Sequence, residues 1–176
     1  TWPRFSPAAR WSRPWPRYRW EVSSLKIEIL SDVPASREAT WALVMDIPKA
    51  ASCIPGIKDI TPDGEGKYQA TLQARVGPMG MNLSGTITVL SQDADAGEAY
   101  FLVEANDRRV GSGIKTNMSM KVTAKSADET ELEIIADTTF MGRLGELGQP
   151  LIRRKARNTL EEFSKNLSKL LSSGSG

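Results

Sequence analysis

From residue 25 onward the sequence alternates apolar and polar side chains in one short segment after another, and then ends in a single helical stripe. In residues 68–76 the even positions are Tyr, Ala, Leu, Ala and Val, while the odd positions are polar or charged. Similar segments follow at 81–89, 114–122 and 131–137, separated by short turns. This pattern is typical of an antiparallel sheet with one face in water. The sequence therefore predicts a curved antiparallel sheet of about six to seven strands.

Helices are predicted on both sides of this strand-rich region. After a first strand at 25–33, Ser36 suits the cap of a short helix that carries Trp41, and Pro48 suits the first turn of a second one. A long C-terminal helix is expected from apolar residues on one stripe: Leu144, Leu147, Leu151, Leu160, Phe163, Leu167 and Leu170. Pro150 is expected either to kink this helix or to start its regular part. The fold class is α+β, with the sheet wrapped around the long helix, because no other helix is long enough to cover its apolar face.

The first 24 residues have a different composition from the rest. They hold five Arg against one acid, Glu21, and four of the five Trp, so their net charge is +4 while the remainder carries −2. Three interpretations stay open: an arm that binds phosphates or a lipid interface, a flexible extension, or an overlong start assignment with the natural chain beginning near Leu25. We expect residues 1–24 to lie outside the domain, residues 25–171 to form it, and residues 172–176 to be a flexible tail.

Composition excludes several kinds of site. The chain has no His, which removes His-based triads and His metal sites. Its single cysteine, Cys53, cannot form an internal disulfide or a cysteine zinc cluster. No apolar run reaches the roughly 18 residues of a membrane-spanning helix, and no secretory apolar core follows the basic head. We expect a cytoplasmic protein with no metal or other cofactor.

Few residues suggest catalysis. Glu104 interrupts a mostly apolar strand and is a candidate acid in a cavity, although a solvated position or an ion pair accounts for it as well. Asp107 is another acid near apolar segments. Cys53 without a nearby base is typical of a small buried apolar residue. The Gly-rich segment 110–113 lacks the Lys and Ser/Thr of a phosphate loop and favours a hairpin turn. We expect no catalytic residues and a protein that is not an enzyme.

Many inward positions of the predicted strands hold small residues or methionines. Small residues facing a helix either let it pack closely or leave a hollow, and both remain open at this point. Hollow sheets of this kind commonly hold apolar ligands, and Met suits a flexible apolar ligand as well as an ordinary core. The small residues are Ala70, Ala74, Gly85, Ala105, Ala124 and Ala136. The candidate ligand-binding residues are Trp41, Tyr68, Leu72, Met81, Leu83, Met118, Met120, Phe140, Leu144, Leu147 and Leu151.

Several short strings follow one another in a distinctive order along residues 25–171. They are Pro34-Ala35, Trp41, Asp46, Cys53-Ile54-Pro55-Gly56, Gly77-Pro78-Met79, Gly85, Gly113, Thr130-Glu131-Leu132 and Gly142-Arg143-Leu144-Gly145-Glu146-Leu147-Gly148. Together they resemble the family of the carbon monoxide dehydrogenase G subunit, within the START-like, helix-grip superfamily. The resemblance implies a helix-grip fold that binds a hydrophobic ligand in a cavity between the sheet and the C-terminal helix.

The resemblance also implies a biological role. Members of this family are accessory proteins of molybdenum hydroxylases, implicated in membrane recruitment of the enzyme and in binding a quinone. We therefore expect a non-catalytic carrier or adaptor for a quinone or lipid-like molecule, with molybdenum hydroxylase subunits and a peripheral membrane contact as further partners and no nucleic acid. A cavity enzyme of the cyclase or dehydratase type and a protein-interaction or membrane-recruitment module remain alternatives. The basic cluster Arg153-Arg154-Lys155-Arg157 fits anionic lipid headgroups, an acidic partner or a solvated helix face.

Overall fold

The computed structural model describes residues 23–174, so the predicted head lies almost entirely outside the described residues. The strands are β1 (Ser23–Val33), β2 (Ile57–Pro62), β3 (Lys67–Val76), β4 (Met79–Asp93), β5 (Glu98–Asp107), β6 (Ser112–Ser126) and β7 (Glu129–Gly142). The helices are α1 (Arg37–Met45), α2 (Ile47–Ala51), a 3-10 helix (Arg143–Glu146) and α3 (Gln149–Gly174). Residues 172–174, predicted to begin a tail, continue α3.

The seven strands form one antiparallel sheet in the order β1-β7-β6-β5-β4-β3-β2. The predicted α+β helix-grip architecture, with two short helices after the first strand, is confirmed. The alternation of side chains indicates six of these strands, whereas β2 is short and its burial does not alternate strictly. It is held by pairing with β3, where Ile57 lies opposite Leu72.

The ends of the helices follow the predicted signals. The Ser36 hydroxyl accepts a hydrogen bond from the amide of Ala39 at 3.1 Å and caps α1. Pro48 lies in the first turn of α2, where its missing N–H costs nothing. Pro150 is the second residue of α3, so it starts the helix and does not kink it. Within residues 23–174, no helix is both long enough and apolar enough to cross a lipid bilayer.

The predicted apolar stripe of the C-terminal helix needs correction. Leu144 lies in the 3-10 helix and Leu147 follows it, because α3 begins only at Gln149 and a break in the helix resets the periodicity. Leu170 is 41% exposed and does not belong to the buried face. The residues of α3 that are buried in the core are Ile152, Leu160, Phe163 and Leu167.

One half of the core is tightly packed. There α1 packs against β6 and β7, and Val44, Leu132 and Ile134 are almost completely buried. The buried hydroxyl of Thr130 donates a 2.8 Å hydrogen bond to the carbonyl of Ala35, which fixes the entry to α1 on the sheet. The other half of the sheet faces α3 instead.

Candidate functional site

A cavity of about 200 Å³ lies between this second half of the sheet and α3. Its wall comes from inward side chains of β1 and of β3 to β7, from the 3-10 helix and from α3. Ile54 and Ile57 close it beside the short helices. Most lining residues are aliphatic or aromatic, as expected for a pocket that binds an apolar molecule.

The hollow originates in a row of small residues across three neighbouring strands. Ala70 of β3 lies opposite Gly85 of β4, and Gly85 lies opposite Ala105 of β5. A Cβ atom at Gly85 would overlap the backbone of Glu104 and Ala105, so only glycine permits this close approach of β4 and β5. The small residues therefore leave a hollow, which the sequence alone does not decide. Of the six small residues expected on the inner face, Ala124 is exposed and the other five line the cavity.

Polar atoms in the cavity are few, and most of them bond to one another or to the backbone. The hydroxyls of Thr116 on β6 and Thr138 on β7 are 2.8 Å apart and form a hydrogen bond. The hydroxyl of Thr159 donates to the carbonyl of Lys155 at 2.8 Å within α3. Thr86 adds a further hydroxyl from the sheet. A wall with so few free polar groups favours an apolar occupant, because burying an unpaired polar group is costly.

The eleven predicted ligand-binding residues divide into two groups. Six line the cavity: Leu72, Met81, Leu83, Met118, Phe140 and Leu144. Five lie outside its lining: Trp41, Tyr68, Met120, Leu147 and Leu151. The role of the first group in binding a ligand stays a prediction.

Three of the residues outside the lining pack elsewhere in the structure. Trp41 is half-buried on α1 at the packed end of the core, and Met120 lies opposite Ala99 in that same half. Leu151 lies against Gly77 in the β3–β4 turn.

Sequence reasoning also missed several residues of the cavity lining. Among them are Ile114 on β6 and Ile152 and Lys155 on α3. Strand alternation and helical period mark the first two as inward-facing, so a signal for them was present in the sequence. For Lys155 the local pattern indicates only a basic, solvated helix face.

The acids singled out in the sequence lie outside the cavity. Glu104 is exposed on β5. Asp107 is 5% exposed, but its carboxylate accepts hydrogen bonds from the backbone N–H of Asn82 at 2.8 Å and from the backbone N–H and the guanidinium of Arg109. The Asn82 amide and then Arg109 hold the pKa of Asp107 below its ordinary value. Asp107 thus fastens the end of β5 to β4.

The surroundings of Cys53 are not those of a reactive nucleophile. It is 4% exposed, and burial raises the pKa of its thiol above the ordinary value. Its Sγ lies 3.7 Å from the carbonyl of Lys49, to which the thiol donates. Within residues 23–174, no three His, Cys, Asp or Glu side chains come together as a metal site would require.

A polar groove adjoins the cavity, and we call it the mouth groove. It is lined by Pro55, Gly56, Gln73, Ala74, Arg75, Gly80, Met81, Asn82, Arg109 and Lys155. Ala74, Met81 and Lys155 line both the groove and the cavity, so the two spaces meet at these residues. The apolar interior therefore borders a solvent-facing surface that carries three cationic side chains.

Several solved structures share this fold. A conserved protein from Geobacillus kaustophilus matches with a TM-score of 0.77 at 20% identity, over 85% of this chain and 96% of that chain. A START superfamily protein from Mycobacterium smegmatis matches with a TM-score of 0.65 at 14% identity, over 84% and 97%. The Zhui aromatase/cyclase from Streptomyces sp. R1128 matches with a TM-score of 0.61 at 13% identity, over 85% and 94%. At these identities the likeness concerns the fold alone.

Sequence comparison is more specific about the family. No curated protein matches the chain in sequence. The family model of the carbon monoxide dehydrogenase G subunit (CoxG) matches residues 31–172, which is most of the chain and includes the motifs that carry the resemblance. The protein therefore belongs to the CoxG family of carbon monoxide dehydrogenase G subunits.

Proposed function

We propose that this protein binds a hydrophobic small molecule in the cavity between sheet and α3, and that it is an accessory protein of a molybdenum hydroxylase of the carbon monoxide dehydrogenase type. The observation that carries the proposal is the row Ala70, Gly85 and Ala105, which leaves an apolar hollow where a globular core is normally filled. Empty apolar space costs stability, so a chain that maintains it has a use for it.

The volume of the cavity indicates the size of the bound group. An engineered cavity of about 150 Å³ with an aliphatic and aromatic wall binds benzene. The cavity of this protein, at about 200 Å³, is suited to one ring with a short substituent or to a chain of about seven or eight carbons. A quinone ring or the end of a lipid chain fits these dimensions, and a longer tail would leave through the mouth groove.

The partner enzyme is inferred from the family. The family takes its name from carbon monoxide dehydrogenase, and an accessory protein that carries a quinone or a lipid-like molecule would serve such an oxidoreductase as a carrier or as an adaptor at a membrane surface. We also propose a peripheral contact with the membrane, because the exposed basic residues Arg153 and Arg154 of α3 would be attracted to anionic lipids.

An enzyme of the cyclase or dehydratase type receives less support. Such chemistry needs acid and base groups directed at the substrate. Among the described residues, the cavity lining contains no carboxylate, and Glu104, Asp107 and Tyr68 all lie outside it. In that part of the chain, the single titratable side chain of the lining is Lys155, at the border with the mouth groove.

The test of ligand binding is to identify what accompanies the purified full chain. We expect native mass spectrometry to show an added mass of one small molecule per chain, and solvent extraction to release an apolar compound. Empty protein should take up toluene, octanol and duroquinone, each of which is a single ring with short substituents or a chain of eight carbons. A protein that carries no apolar compound and takes up none of these three would contradict the proposal.

The partnership requires its own test. We expect tagged protein expressed in its native cells to co-purify with a molybdenum-containing hydroxylase. If the protein is an adaptor, the amount of hydroxylase recovered should not change when the ligand is removed. Purification that never recovers such an enzyme, also under mild crosslinking, would contradict the accessory role while leaving ligand binding intact.

A further inference from the structure

The charge around the cavity is unevenly placed. Inside, the described lining residues are neutral, and the one exception is Lys155 on α3. Lys155 is exposed at the point where the cavity meets the mouth groove, and it lines both. A ligand that fills the cavity and reaches this border therefore meets an ammonium group there.

The mouth groove adds two more cations on the sheet side. Arg75 of β3 and Arg109 line it together with Lys155. Arg109 is paired with Asp107 at 3.2 Å, so most of its charge is compensated. Lys155 and Arg75 have no ion-pair partner among residues 23–174, and no carboxylate of the described residues lines the groove.

We infer that the natural ligand is an amphiphile with one anionic group, whose apolar part fills the cavity and whose carboxylate or phosphate lies in the mouth groove against Lys155 and Arg75. This inference rests on the proposed function and specifies its ligand class. It favours a fatty-acid-like or phosphorylated compound over a neutral quinone.

Physical chemistry supports this arrangement of head and tail. The apolar part gains free energy by leaving water, while the anionic group stays solvated in the groove and avoids the large cost of burying a charge. Hydrogen bonds between ionised partners are stronger than neutral ones, and Lys and Arg both donate several. The position of the cations therefore also orients the ligand, with its tail towards Ala105 and its head outward.

The experiment compares octyl compounds that differ only in their head group. Calorimetric titration of the full chain gives dissociation constants for octanoate, octyl phosphate, octanol and octylammonium. We expect octanoate and octyl phosphate to bind about fivefold to tenfold more tightly than octanol, and octylammonium to bind more weakly than octanol. The preference for anions should shrink as the salt concentration rises, because the groove is open to solvent.

Variants that remove the charges of Lys155 and Arg75 test whether these two residues cause the preference for anionic ligands. Lys155→Met keeps the apolar stem and removes the charge, so the preference for octanoate over octanol should fall. In the Lys155→Met/Arg75→Met double variant the preference should disappear, so that octanoate binds no more tightly than octanol. Arg154→Met is the matched control, because Arg154 is exposed on the same helix but lines neither space, and it should keep the preference.

The possible results separate this inference from the proposed function. If octanol binds as tightly as octanoate, or if the preference for anions survives in the double variant, the inference of an anionic ligand is wrong. The proposal that the cavity binds an apolar molecule then still stands. Failure of all four octyl compounds to bind would overturn both.

Discussion

The side-chain amide of Asn166 on α3 donates a 2.8 Å hydrogen bond to the backbone carbonyl of Cys53, 113 residues earlier in the chain. Cys53 directly precedes Ile54, which forms part of the cavity wall beside the short helices. This bond therefore ties the helix that covers the cavity to the segment that closes one side of it.

Loss of this tie should weaken the protein measurably. Asn166→Ala leaves a partly buried carbonyl without its partner, which typically costs about 1–2 kcal/mol and lowers Tm by several degrees. Thermal unfolding followed by circular dichroism measures this change. Asn158→Ala, at an exposed position of the same helix, should leave Tm within about one degree. If the two variants change Tm equally, the hydrogen bond makes no contribution to stability.

The carboxylate of Asp107 should make stability depend on acid pH. Its folded-state pKa is lower than the ordinary value of 3.8, chiefly because the Asn82 amide donates to it and secondly because Arg109 does. A depressed folded pKa means that the stabilisation is fully present above about pH 4 and disappears as the pH falls through the folded pKa.

Asp107→Asn is the variant that tests this dependence, since an amide resembles the protonated acid. We expect the wild type to have the higher Tm between about pH 5 and 7, and the difference between the two proteins to shrink as the pH falls below about 4. Asp137→Asn, at an exposed site on β7, should show no such convergence. A Tm difference for Asp107→Asn that is the same at all pH values would contradict the role of the ionised carboxylate.

Filling part of the cavity should weaken ligand binding without unfolding the protein. Ala136 on β7 lines the cavity between Ile27 and Met118 on the adjacent strands. Ala136→Leu adds about three carbon atoms to a space that holds about seven waters at roughly 30 Å³ each. We expect binding of octanol, measured by calorimetric titration, to weaken at least about tenfold, while the free energy of unfolding stays constant or rises by up to about 2 kcal/mol.

The control for this variant is Ala124→Leu, because Ala124 is exposed on the neighbouring strand β6 and makes no part of the lining. It should bind octanol as the wild type does. Undiminished octanol binding by Ala136→Leu would place the binding site elsewhere.

The thiol of Cys53 should react slowly. Burial raises the pKa of this thiol and keeps a disulfide reagent away from the thiolate that would attack it. Because Cys53 is the chain's single cysteine, its reaction is measured without interference. At about pH 8 we expect Ellman's reagent to label native protein at least about a hundredfold more slowly than protein in guanidinium, since labelling needs local opening. Asn166→Ala should speed the native reaction. Immediate labelling of native protein would contradict the burial.

Local signals in the sequence predict much of the fold. The alternation in residues 68–76 places Ala70, Leu72 and Ala74 on the inner face, and Ser36 and Pro48 mark two helix starts that the structure has. These features depend on neighbours within a few residues, so a single sequence carries them. The helical periodicity predicts a buried stripe that is too long at both ends. Leu144 lies before α3 and Leu170 is exposed, since periodicity alone does not show where a helix begins or where its buried face ends.

The site is less predictable because it depends on pairing between distant segments. Trp41, Met120 and Leu151 are as apolar as the six predicted residues that line the cavity, but they occupy the packed half of the core or the helix start. In the sequence Lys155 is only one member of a basic run on a helix. Its place at the border of cavity and groove follows from how α3 crosses the sheet, which no local pattern encodes.

The sequence by itself determined most of the side chains that face inward, where turns fall and that a single long helix must cover the sheet, because periodicity and turn chemistry are local properties of the chain. Only the tertiary structure decided that the core is hollow. Strand register aligns Ala70, Gly85 and Ala105 side by side across β3, β4 and β5. Each is an ordinary small residue in its own strand, and the space above them exists only because the three meet and α3 passes over without filling it.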